Sequence, residues 1–155
     1  MKLSKFLVPV LLLMVIIAKA QTSAPAITDE DLKKYAVTMD SVKGMQATLN
    51  QIVSEKVHKN TVMSVARYNE LFKIIEDQTK LTEAKATPEE IAFIKEVNAL
   101  REENIARINT TYQALAKDYV GLKTFNAIKK SLAADQALKA KYEAISKEVE
   151  SKGGE

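Results

Sequence analysis

The chain has no cysteine and no tryptophan, a single histidine, four glycines and three prolines among its 155 residues. Without cysteine it forms no disulfide and offers no thiolate nucleophile, and no lipid can be attached at a mature N-terminal Cys. The one histidine, His58, is too few for a zinc site of the His/Cys type. Only Gly44 and Gly121 lie between Gln21 and Lys152, so there is no glycine-rich phosphate loop and no dinucleotide fingerprint. There is no alternating β pattern, no internal repeat and no low-complexity tract. With 46% hydrophobic and 28% charged residues, the composition excludes a collagen-like or wholly disordered chain.

What is present begins with an export signature. Met1 to Lys5 carries two lysines, Phe6 to Ile17 is apolar apart from Pro9, and Ala18-Lys19-Ala20 places small residues where signal peptidase reads. The apolar stretch is about twelve residues, short of the roughly 20 that span a bilayer. Residues 1–20 therefore read as a cleaved signal peptide, with the periplasm or the extracellular space as destination. Lys2, Lys5 and Lys19 are its only charges, so removing it takes the net charge from +3 to zero. The neutral mature chain gives no electrostatic argument for nucleic acid or an anionic membrane as partner, and no apolar stretch of it is long enough to span one. At 135 residues it has the size of one self-sufficient domain that relies on packing alone.

The mature chain divides by its helix signals. Residues 21–27 form a disordered tether, residues 28–150 a single helical domain, and residues 151–155 a polar tail. Thr28 and Asp31 have N-cap and N3 spacing ahead of Leu32, Tyr35, Met39, Val42, Leu49 and Val53, which predicts a helix of about 45 Å to Val57. Gln46 occupies a slot on that stripe, and Gly44 marks either a close helix crossing or a tolerated cost. The turn falls at His58-Lys59-Asn60-Thr61. Without it, the first two helices fuse into a rod that exposes apolar surface unless it oligomerises.

Val62, Val65, Tyr68, Phe72, Ile75 and Thr79 form the next stripe, widened by Leu71, Ile74 and Leu81, and Thr82 to Ala86 links it to the strongest start signal. There Thr87 is the N-cap, Pro88 sits at N1, and Glu90 closes a capping box. Ile91, Ile94, Val97, Ile105, Ile108, Tyr112, Leu115 and Tyr119 continue that helix, and Gly121 ends it. Arg101 falls on the stripe and must snorkel or pair with an acid. Phe125, Ile128 and Leu132 precede Leu138, Tyr142, Ile145 and Val149. A break near Ala134 with Asp135 as cap avoids burying an unpaired carboxylate. The expected fold is all-α: an antiparallel bundle of three long helices plus one or two short C-terminal ones.

Catalytic constellations are sparse. His58 is the only candidate for a Ser-His-acid triad, and no Gly-x-Ser-x-Gly elbow accompanies it. Glu55-Lys56-Val57-His58 is one Glu-x-x-His, whereas a di-iron bundle needs two. Glu89/Glu90 and Glu102/Glu103 are adjacent on helices and point in different directions, unlike paired carboxyls facing across a cleft. Asn109-Thr110-Thr111 matches a glycosylation sequon inside a predicted helix. Tyr35, Tyr68, Tyr112, Tyr119 and Tyr142 lie on or beside the apolar stripes, which assigns them to core packing with wet hydroxyls rather than to a ligand groove. No catalytic, cofactor-binding or metal residue is assigned.

The C-terminal pattern carries a resemblance. Gly121-Leu122-Lys123-Thr124-Phe125-Asn126-Ala127-Ile128, then Leu132 and Asp135-Gln136-Ala137-Leu138, resembles the end of the bacterial domain of unknown function 4168 family. Asp29 to Ala36 (Asp-Glu-Asp-Leu-Lys-Lys-Tyr-Ala) is similar to that family's opening helix, so the likeness spans about Ile27 to Ile145. The long, charged third helix is where this chain departs from the family. The resemblance implies an exported, helical bacterial protein and no reaction. Export, the lack of a catalytic constellation and long charged helices lead to the expectation of a non-catalytic envelope protein that binds another protein or itself. The alternative is a periplasmic chaperone or stress adaptor: Leu81-Thr82-Glu83-Ala84-Lys85 starts like the Leu-Thr-x-x-Gln motif of small helical periplasmic chaperones but lacks the Gln.

Overall fold

The computed structural model describes residues 26–152, and every regular element among them is a helix. The expected signal peptide at 1–20, residues 21–25 of the tether and residues 153–155 of the tail lie outside the described residues. The first helix, α1 (Asp29–Lys59), starts where the Thr28/Asp31 spacing places it. Asp31 N–H donates to Thr28 Oγ1 at 3.1 Å, and Thr28 N–H donates to Asp31 Oδ2 at 3.0 Å. The Thr28 hydroxyl also donates to Asp31 Oδ2 at 2.6 Å, and this bond together with the one from the Thr28 amide holds the Asp31 carboxyl below its usual value.

The turn after α1 separates the first two helices, so there is no single rod. It begins two residues later than expected, and His58 lies in the last helical turn. Asn60 leaves the helix with extended backbone, and its Oδ1 accepts from the N–H groups of Val62 at 3.0 Å and Met63 at 2.9 Å. Such a side-chain-closed turn needs neither glycine nor proline. Ser64 then caps α2 (Val65–Phe72).

The second stripe is two short helices rather than one long one. α2 ends at Phe72, and α3 (Gln78–Glu83) starts at Asp77, whose Oδ1 accepts from Lys80 N–H at 3.1 Å. Leu71 and Leu81 are both buried in one cluster. On an unbroken helix they would stand about 15 Å apart along the axis. The break brings Leu81 into the same core cluster as Leu71.

α4 (Pro88–Ala114) has the expected Thr87 cap, Pro88 at its start and the Glu90 capping box. It continues as a π-helical turn over Leu115–Tyr119 before Gly121, whose φ of +89° ends the run. α5 (Leu122–Leu132) comes next. Asp135 then caps α6 (Gln136–Lys152) by accepting from Leu138 N–H at 3.0 Å. Asp135 is exposed, so the buried carboxylate is avoided. α6 takes in Ser151 and Lys152, which the sequence assigned to the tail, and Ile27 is half-buried against the core rather than part of a disordered tether.

α1 is the central element, with α4 and α6 packed against it. α4 is antiparallel to it: Lys56 pairs with Glu96 at 2.8 Å near one end, and Leu32 and Tyr35 cluster with Ala116 and Val120 at the other. α6 runs parallel to α1, which departs from the expected antiparallel order. Asp29 pairs with Lys141, and Lys43 pairs with Glu150 at 2.7 Å. The cause is α5, which carries the chain across the end of the bundle, so that α6 starts again beside the beginning of α1.

The core has two lobes. One gathers Val53, Val57, Tyr68, Leu71, Leu81 and Ile94 from α1 to α4, and the other gathers Leu32, Tyr35, Val120, Phe125 and Ile128 under α5 and α6. Tyr112 touches both lobes. Several residues of the expected stripes lie outside them, including Val62, Thr79 and Tyr119. Gln46 is exposed, and Ile105 is 49% exposed because the seam facing α1 runs through Arg101, Asn104 and Ile108.

Candidate functional site

The residues singled out for chemistry do not converge. His58 is exposed, and its Nδ1 donates to the Ser54 carbonyl oxygen at 2.7 Å. A carbonyl only accepts, so Nδ1 carries the proton. Glu55, its Glu-x-x-His partner, accepts instead from Lys59 at 2.9 Å and Gln51 at 3.1 Å, and these donors hold its carboxyl below the usual range. Glu90 is engaged by Arg67 and by the Thr87 backbone, whereas Glu89, Glu102 and Glu103 are exposed. Among the described residues no three His, Asp or Glu side chains gather as a metal site would require. Asn109 of the sequon is exposed within α4, and Thr110 Oγ1 donates to the Ala106 carbonyl at 3.0 Å.

The tyrosines divide. Tyr35 packs on Phe125 at 4.8 Å and edge-on to Tyr142 at 5.6 Å, and Tyr112 meets Phe125 at 5.6 Å. Burial raises the Tyr35 phenol above its ordinary value, the direction expected where the phenolate would lose water. Tyr68 packs between Phe72 and Phe93. Tyr119 does not join the core and is 43% exposed.

Two surface features stand out. The first is a shallow, largely apolar groove of about 460 Å³ lined by Thr110, Thr111, Ala114, Leu115, Asp118 and Tyr119. It lies on the π-helical turn. A π turn takes in one residue more than an α turn and so rotates the residues after it. Here Ala116 and Val120 face the core while Tyr119 faces out, and Leu122, just past Gly121, is 56% exposed.

The second is a polar cleft of about 190 Å³ between α1, α2 and α4. Asn50, Ser54 and His58 line it from α1, Tyr68 and Asn69 from α2, and Arg101 from α4, beside the apolar Val53, Val57 and Val65. Arg101 neither pairs with an acid nor simply snorkels. Its guanidinium carbon sits 5.4 Å from the Phe72 ring centroid, and no ion pair among the described residues includes it. The cation is held by the aromatic face. The Tyr68 hydroxyl and Arg101 Nε are both closed off from solvent and lack hydrogen-bond partners. The sequence signal for this cleft was Arg101 itself, a cation on an apolar stripe. What it did not give was the α2 aromatic that the cation stacks on.

No helix among the described residues is long and apolar enough to cross a membrane. No family model, no curated protein and no solved structure matches the chain.

Proposed function

We propose that this chain is an exported, non-catalytic helical protein that binds another protein through the turn between α4 and α5. The observation that carries this reading is the pairing of Tyr119 and Leu122, an aromatic and an aliphatic side chain left 43% and 56% exposed at the π-helical turn. Interfaces draw most of their energy from a few such anchors. The neighbouring groove along Ala114 and Leu115 offers room for a partner's apolar side chain. Export rests on the segment at 1–20, and the resemblance to the domain of unknown function 4168 family agrees with it. The other exposed large apolar side chains among the described residues are only Ile52, Val62 and Ile105. That scatter favours one defined partner over the broad apolar cradle of a chaperone.

The test places a photoreactive residue at Leu122 or, as a control, at the exposed Ala99 of α4, in cells that export the chain. The expected result is one dominant adduct from Leu122 only, whose identified partner binds Tyr119→Ala about tenfold more weakly in purified form. An adduct of two copies of this chain would replace the heterologous partner with self-association, and a broad spread of adducts would favour the chaperone. Equal labelling from both positions would refute the docking site.

A further inference from the structure

We infer that the cleft between α1, α2 and α4 binds a small organic carboxylate with an apolar stem, through Arg101 and Tyr68. This is a different surface from the Tyr119/Leu122 turn and does not depend on it. Three observations converge on it. Tyr68 is only 4% exposed, and its hydroxyl has no partner, a costly state for a buried polar group. Arg101 lines the same cleft and its Nε is likewise without a partner, so two helices each bring a residue with an unmet hydrogen-bonding group to one cavity. No lining residue is acidic: the other polar ones are the amides Asn50 and Asn69, the hydroxyl of Ser54 and the imidazole of His58.

The chemistry of this set selects its ligand. Guanidinium and phenol O–H both donate to an anionic oxygen, and a carboxylate matches the edge of the guanidinium with two oxygens. The Phe72 ring, its centroid 5.4 Å from the guanidinium carbon, restrains the Arg101 fork, so less order is lost when the carboxylate arrives. A phosphate dianion needs more positive charge than one guanidinium supplies, and Arg101 is the only Lys or Arg in the lining. Val53, Val57 and Val65 give the apolar wall for a hydrocarbon stem. A cavity of about 190 Å³ suits a small molecule rather than a folded partner.

The chain has three arginines, Arg67, Arg101 and Arg107, so nuclear magnetic resonance of the Nε–Hε groups reads each guanidinium separately. The full chain is titrated with sodium benzoate and, in parallel, with inorganic phosphate. The expected result is a saturable shift of the Arg101 signal with benzoate alone, with Arg67 and Arg107 unmoved. Tyr68→Phe deletes only an oxygen that bonds nothing in the free protein, and it is expected to weaken benzoate about tenfold. Arg101→Lys keeps the charge but loses the fork, and it is expected to abolish saturation. An unchanged Arg67 signal confirms that each variant is folded, and if Arg101→Lys is not, Tyr68→Phe carries the test. Saturation by phosphate in place of benzoate overturns the carboxylate assignment. Parallel, unsaturating shifts at all three arginines, or benzoate affinity unchanged in Tyr68→Phe, overturn the site.

Discussion

Arg67 grips Glu90 with two parallel hydrogen bonds, Nε to Oε1 at 3.0 Å and Nη2 to Oε2 at 3.3 Å, and so ties α2 to the first turn of α4. The same guanidinium reaches Glu70 at 3.2 Å and the Ala84 carbonyl at 2.8 Å, while Glu90 Oε2 accepts from Thr87 N–H at 3.0 Å. One capping box thus serves two purposes: it starts α4 and anchors the α2–α3 corner to it. Two-pronged Arg–carboxylate pairs are geometrically stronger than ordinary surface pairs, and the Glu90 side chain is only 13% exposed.

Glu90→Gln keeps the shape of the side chain and removes its charge. The variant is expected to melt about 5 °C lower at neutral pH. Arg67 first, then the Thr87 amide, hold the Glu90 carboxyl below its usual 4.5. A lowered folded-state value means that the unfolded chain takes up the proton first. The stabilisation is therefore fully present above 4.5 and is lost as pH falls through the lower folded-state value. The difference in melting point between wild type and Glu90→Gln should be flat at pH 6 to 7 and shrink in acid. A constant difference down to full acid denaturation would show that the charge is not its source.

Ile94 and Ile105 share the apolar stripe of α4 in the sequence but not in the fold, where Ile94 is 0% and Ile105 49% exposed. Ile94→Ala is expected to destabilise by about 3 kcal/mol, and Ile105→Ala by less than about 0.5 kcal/mol. Urea unfolding of the two variants measures the contrast. Equal losses would place Ile105 in a buried interface, as in an oligomer.

The two internal glycines are expected to respond with opposite signs. Gly44 lies inside α1 with nothing within 4 Å of the space a Cβ would fill, so it marks no close helix crossing. Gly44→Ala should stabilise by about 1 kcal/mol through helix propensity. Gly121 has φ of +89°, a region that L side chains rarely enter. Gly121→Ala should destabilise by about 1 to 2 kcal/mol, although its Cβ would meet only Thr124 Oγ1 at 3.9 Å. Thermal denaturation of the pair separates a backbone cost from a packing cost.

Helix starts were legible because they are written in local side-chain bonds: Thr28 with Asp31, Thr87 with Glu90, and Asp135 each cap the helix that the sequence assigns to them. The core was legible where an apolar residue sits at the right step, as with Leu32, Val53, Ile94 and Phe125. Long-range choices were not. Nothing local to Lys73–Asp77 says that the chain must break there and bring Leu81 into the cluster that holds Leu71, and apolar steps do not show that α6 runs parallel to α1. The π-helical turn is hidden because it shifts the period by a single residue. The polar cleft is half legible: Arg101 announces itself on its stripe, but its meeting with Tyr68 and Asn50 is a matter of tertiary packing.

α6 packs along α1 but, unlike α1 and α4, has no fully buried residue, and this difference should be visible as local opening. It rests on the second lobe of the core through Leu138, Tyr142 and Ile145. The Lys43–Glu150 bridge is between exposed side chains and adds little. α1 by contrast is buried along most of its length by α4, α5 and α6. Segments with few buried contacts open below the global unfolding free energy. Backbone amides of α6 are therefore expected to exchange with deuterium on the order of tenfold faster than those of α1 and α4, or more. Tyr142→Ala removes the edge-on contact with Tyr35 at 5.6 Å and should widen that gap while leaving the exchange of α2 and the first turns of α4 unchanged. If α6 exchanges in step with α4, and Tyr142→Ala accelerates both together, the two lobes unfold as one unit and α6 is an integral part of the core.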